Sequence, residues 1–147
     1  MKKYELIDHT ADVCIKAYGK SISEAFENAA VGMFDIITDN SKIGIVGQYS
    51  IKLEASDLEQ LLVDWLSELL FLNSAKNLVF GSFKVAIDEN HLSAQVFGEE
   101  YDTSKHKMGI EIKAVTYHML EVKDTEPFYV KILFDISYSS PNTCAER

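Results

Sequence analysis

At 147 residues, 47% of them hydrophobic and 25% charged, the chain can bury one sizeable core. It is too short for two comfortable domains and too apolar for a disordered segment. A formal net charge of −9 argues against direct binding to RNA or DNA, which depends on many Lys and Arg side chains displacing counterions from phosphates. Cys14 and Cys144 show no CxxC spacing, the N-terminus carries no basic-then-apolar leader, and no apolar run nears the roughly 18 residues of a membrane span. These features predict a soluble, cytoplasmic protein with free thiols and no membrane contact.

The chain opens on two alternating apolar runs broken by Asp8, His9, Thr10, Ala11 and Asp12. A tight hairpin would turn on Gly or Asn, so this bend is either solvated or a site. Ser21 and Glu24 have the spacing of a capping box, and Phe26, Ala29, Ala30, Met33, Phe34 and Ile37 follow at helical spacing, predicting a first helix with one buried stripe. Tyr49, Ile51, Leu53 and Ala55 alternate as a strand. Ser56 and Glu59 repeat the capping box before Leu58, Leu61, Leu62, Trp65, Leu69 and Leu72, which predict a second helix. Asp64 and Glu68 lie on one face of it, where like charges repel by roughly 0.2–0.5 kcal/mol. That face is either solvated or a seat for a cation or a basic partner.

Phe83, Val85 and Ile87, then Leu92, Ala94 and Val96, predict two strands joined by a turn over residues 88–91. The stretch from Gly98 to Leu120, rich in charge, reads as a long polar loop that is functional or flexible. His106 and His118 lack the spacing of a zinc helix and have no neighbouring Cys. The last strand sends Phe128, Val130, Ile132, Phe134 and Ile136 to one face and Tyr129, Lys131, Leu133 and Asp135 to the other. Asp135 stands at its exit, where an Asp ordinarily just faces solvent. Residues 137–147 lose the alternation and predict a mobile polar tail after a single domain over 1–136. The pattern as a whole fits an α+β fold of largely antiparallel sheets with two helices. No GxSxG, Walker or GxGxxG motif is present, so patterns alone reach a soluble α+β domain with an acidic site suited to a hard cation.

Taken in order, YELIDHTADV, SEAFENAAVGMF, DLEQLLVDWLSELLF, GEEYDTSKH, EIKAVTYHMLEV and FDI resemble the archease family across nearly all of Tyr4 to Ile136. The resemblance implies a compact α+β sandwich of sheets with two helices. It also implies a non-catalytic activator of an RtcB-type RNA ligase, the enzyme that seals broken tRNA halves, acting by promoting guanylylation of the ligase and multiple turnover and meeting RNA only through it. Carried onto this chain, the family metal site falls on Asp12, Asp135 and the backbone oxygen of Ile136, with a divalent cation as cofactor, calcium first and magnesium as the alternative. Glu68, Lys105 and His106 match positions tied to ligase activation. Relatives that end at the DI dipeptide can offer a terminal carboxylate to the metal, whereas here residues 137–147 follow and Ile136 offers a neutral carbonyl. Two rival readings are a metal-dependent hydrolase, in which Asp12 and Asp135 hold a cation that activates water, and a chaperone-like scaffolding module.

Overall fold

The structure is a computed structural model that describes residues 3–8 and 12–137. His9, Thr10 and Ala11 of the opening bend, and the tail from residue 138 onward, lie outside the described residues. In chain order the elements are β1 (Tyr4–Asp8), β2 (Asp12–Gly19), α1 (Ile22–Ile37), a 3-10 turn (Asn40–Lys42), β3 (Gly47–Glu54), α2 (Leu58–Lys76), β4 (Leu78–Asp88), β5 (His91–Glu100), β6 (Glu111–Lys123) and β7 (Phe128–Ser137). Two antiparallel sheets form, one in the order β1-β2-β7-β6 and the other in the order β3-β5-β4. No helix among the described residues is long and apolar enough to cross a membrane.

The helices lie where both sheets reach them. α1 touches β2 and β7 of the first sheet and β4 of the second, and α2 touches β6 of the first and β3, β4 and β5 of the second. The expectation of a single buried stripe on α1 is therefore corrected: Ala25, Phe26, Ala29, Ala30, Gly32, Met33, Phe34 and Ile36 are all buried, because the helix packs on two sides. Small residues serve the first sheet. A Cβ on Gly32 would stand 3.0 Å from Cγ of Tyr4 and 3.1 Å from Cδ1 of Ile15. Large residues serve the second, where the Phe34 ring meets Phe80 edge-on at 5.7 Å and stacks on Phe83 at 6.0 Å. Trp65 of α2 closes the centre by donating Nε1–H to the Phe26 carbonyl at 3.0 Å.

The helix starts separate into one expected cap and one shifted cap. Ser21 caps α1, its Oγ accepting the Glu24 N–H at 3.1 Å while Glu24 Oε1 accepts the Lys20 N–H at 2.6 Å. On α2 the cap is Asp57, which accepts the Gln60 N–H at 2.8 Å, so the assignment to Ser56 was one residue early. An aspartate directly before Leu58 outcompetes a serine two places before it, since its carboxylate also meets the positive end of the helix. Ser21→Ala and Asp57→Ala are each expected to cost about 0.5–2 kcal/mol in denaturant unfolding. Ser56→Ala, which removes no cap, is expected to stay within about 0.5 kcal/mol of wild type.

The polar stretch from Gly98 to Leu120 is not one loop. β5 runs on to Glu100, residues 101–110 connect, and β6 begins at Glu111 as the outer strand of the first sheet. Its alternation is hidden because the register with β7 slips twice, between Ile112 and Ala114 and again between Thr116 and Glu121. Tyr117, His118, Met119 and Leu120 thus stand across from Ile132 alone, and Met119 turns through φ 60° to accommodate the excess.

Candidate functional site

Asp12 is the first residue of β2 and Asp135 lies near the end of β7, and the two are direct partners in the antiparallel ladder. Ile15, Ala17, Ile132 and Phe134 on these strands join the helix-packed core. By alternation, both carboxylates stand on the opposite face. Direct partners hold their Cβ atoms about 4.5–5.5 Å apart, where like charges destabilise the pair. Both residues are half-buried, and Asp12 Oδ1 is shut off from solvent. Next along the same face come Cys14 and its partner Leu133, both buried. Burial pushes the Cys14 thiol above its ordinary range, partly countered by Lys131 and reinforced by Asp12 and Glu121. Further on, Lys16 lies 4.2 Å from the centre of the Tyr129 ring and 5.7 Å from that of Tyr18.

The Asp12–Asp135 step presents carboxylate oxygens, and Ile136, one residue on, is buried and registered against Ile112 of β6. Such oxygens suit a hard cation which completes its shell with carbonyl oxygen and water. Among the described residues no group of three His, Cys, Asp or Glu side chains is placed to hold a metal.

A second constellation gathers Lys105 and His106 around Glu99, which sequence reasoning did not single out. Glu99 Oε2 accepts from Lys105 Nζ at 2.7 Å, from the Gly44 N–H at 2.7 Å and from His106 Nε2 at 2.8 Å, and Oε1 takes a further contact from Lys105 at 3.0 Å. His106 Nδ1 accepts the Asp102 N–H at 2.8 Å, so its proton sits on Nε2, facing the carboxylate. The imidazole is buried and stacks on Tyr101 with ring centres 5.5 Å apart. The turn itself is wound on Asp102, whose Oδ1 accepts from the backbone and hydroxyl of Ser104 and whose carbonyl accepts the N–H groups of Lys105 and His106. Farther along, Gly109 and Ile110 donate to the carbonyls of Ile37 and Ile36 at 2.9 Å, and Thr38 donates its hydroxyl to the Lys107 carbonyl. The connection from 101 to 110 is thus tied at both halves.

Lys105, then Gly44 and His106, hold the Glu99 carboxyl down to about 2 from its ordinary 4.5, against the opposing effect of burial. A lowered folded value means that the stabilisation is complete above the unfolded value and fades as pH falls toward the folded one. The difference in denaturant midpoint between wild type and Glu99→Gln is therefore expected to be constant at neutral pH and to shrink between pH 4.5 and about 2.

Glu68 belongs to neither cluster. It lies half-buried on α2, one turn after Asp64, whose Oδ1 accepts from Gln60 Nε2 at 2.8 Å. Gln60 in turn reaches the Tyr117 hydroxyl on β6 at 3.0 Å, so this polar edge of the helix runs beside the irregular part of that strand.

Two antiparallel sheets around a helix pair, with carboxylates paired where the second strand meets the last, define an α+β sandwich protein with an acidic strand-end site. The chain belongs to the archease family: residues 4–136 match the Archease protein family (MTH1598/TM1083), from the start of β1 to the penultimate residue of β7. It is 45% identical over 141 residues to the protein archease of Methanosarcina barkeri, covering 92% of this chain and 97% of that one. Identity to the protein archease of Sulfurisphaera tokodaii is 39% over 132 residues, covering 88% and 95%. The solution structure of Methanobacterium thermoautotrophicum protein 1598 superposes with a TM-score of 0.81 at 38% identity, over 92% of this chain and 99% of that one. A crystal structure of an archease from Thermotoga maritima, described as a possible chaperone, shares the fold with a TM-score of 0.60 at 21% identity, over 89% and 94%.

Proposed function

We propose that this protein is a non-catalytic activator of an RtcB-type RNA ligase, promoting guanylylation and multiple turnover of the ligase in tRNA splicing or RNA repair in the cytoplasm. The observation that carries the reading is the direct pairing of Asp12 with Asp135, from opposite ends of the sequence, in a chain of this family. Selection against like charges on a ladder step is relaxed where a cation is held between them. Asp12, Asp135 and the Ile136 carbonyl would hold calcium, with magnesium as the alternative, and the cation would supply positive charge that locks the ends of β2 and β7 together. Lys105 is half-exposed and offers an ammonium to an anionic group of the ligase complex, and Glu68 offers a carboxylate to a basic one. The net charge of −9 keeps free RNA away, so RNA is met through the ligase.

The test is multiple-turnover sealing of a broken tRNA by an RtcB-type ligase with GTP, with and without this protein at a small fraction of the ligase concentration. Sealing that continues past one turnover per ligase only when the protein is present supports the reading. Equal turnover in both reactions contradicts it.

A further inference from the structure

Lys105 and His106 neighbour each other in sequence, but the structure gives them opposite situations. The Lys105 side chain is 47% exposed and that of His106 is 0% exposed. Both ring nitrogens of His106 are engaged inside the protein, one with the Asp102 N–H and one with Glu99, so the imidazole has nothing left to offer a partner. The group that both residues share is Glu99.

We propose that Glu99 is a positioning residue that presents the Lys105 ammonium to an anionic oxygen of the partner complex, with His106 as its internal brace. The inference rests on the activator reading above and deepens it. Glu99 is fit for this role because its backbone cannot wander. It is the penultimate residue of β5, registered against Val79 of β4. Gly98 before it lets the strands close so tightly that a Cβ there would fall 1.9 Å from the Val79 carbonyl oxygen. From that base the carboxylate, 11% exposed, is fixed on its inner side by the Gly44 N–H and the His106 ring. The ion pair lies close against the Gly44 backbone, where an added Cβ would stand 3.2 Å from both Glu99 Oε1 and Lys105 Nζ. An ammonium carries three donors. Glu99 orients the cation by occupying its inward side, and the outward side remains for a partner.

Two measurements test this, both on the full chain. The first needs no ligase: competitive acetylation by limiting acetic anhydride, read by mass spectrometry, with Lys107 as internal reference. Loss of a charge-assisted contact is expected to raise the relative labelling of Lys105 by about tenfold in Glu99→Gln. Unchanged relative labelling overturns the proposal. The second compares maximal stimulation of ligase guanylylation at saturating protein. Glu99→Gln and Lys105→Met are each expected to lose about tenfold, and the double variant to lose no more than Lys105→Met alone. Glu99→Asp, which keeps the charge but retracts it by one methylene, is expected to reproduce the loss, and it carries the test should Glu99→Gln fail to fold. Losses that multiply in the double variant, or wild-type stimulation by both Glu99 variants, overturn the proposal. A wild-type protein that gives no stimulation overturns the activator reading beneath it, whatever the labelling shows.

Discussion

Calcium is expected to raise the melting temperature of the wild-type protein, and Asp12→Asn and Asp135→Asn are each expected to abolish that rise. Ligand binding to the folded state alone stabilises it by RT ln(1 + [L]/Kd), about 2.7 kcal/mol at a hundredfold excess over Kd. Asp12 and Asp135 are direct partners on adjacent strands, so removing either charge removes one of the two side chains a cation would bridge. The same change relieves repulsion on that ladder step, and the metal-free variants are expected to melt at or slightly above the metal-free wild type. Asp88→Asn, at the last residue of β4 in the second sheet, should retain the full calcium response. Melting curves of all four proteins with calcium, with magnesium and with chelator read the effect. A calcium response that survives in both Asn variants contradicts the site.

Trp65→Ala is expected to be the most damaging single change in the core, at about 3–5 kcal/mol. Trp65 is fully buried, meets Phe83 edge-on with ring centres 6.2 Å apart, and donates its indole N–H to the Phe26 carbonyl of α1. Truncation thus opens a cavity where α2 meets α1 and β4, and it takes a buried donor from that carbonyl. For a chain of this size each kcal/mol moves the melting temperature by roughly 2–4 °C, so the fall should be on the order of 10 °C. Trp65→Phe, which retains most of the apolar volume, should lose much less. Similar melting temperatures for the Ala variant and wild type would place Trp65 outside the core.

Both helices and the strands with clean alternation were legible in the sequence because each obeys one period. β7 shows this best, with Val130, Ile132, Phe134 and Ile136 all buried on the helix side. Legibility failed where two constraints overlap. The start of β4 was missed because Leu78, Val79 and Phe80 are consecutive and all buried, and the register slips between Phe80 and Ser82, so no period-two signal survives. β6 was read as loop because its excess residues opposite Ile132 break the same signal. α1 was read as one-sided because a second buried face on a helix looks, in sequence, like a generous first one.

The site was legible to a different degree. Nothing local in HTAD or FDI says that Asp12 and Asp135 meet. Their pairing follows from the topology that places β2 beside β7, and only the family resemblance anticipated it. Lys105 and His106 came from the same resemblance, whereas Glu99 did not, although it lies only six and seven residues before them. The stretch from Gly98 onward reads as a polar loop, in which a carboxylate ordinarily faces solvent. What fixes its role is the Gly44 N–H arriving from a distant part of the chain, which no local spacing reveals.

The measurement that bears most directly on the account is the amount of covalent ligase–GMP formed over time by an RtcB-type ligase, GTP and calcium, with substoichiometric wild-type protein or its Asp12→Asn or Asp135→Asn variant. Wild type is expected to accelerate guanylylation, with each molecule serving several ligase molecules, and both variants to leave the rate where the ligase alone sets it. Ligase–GMP accumulating at one rate in all these reactions would contradict the activator reading.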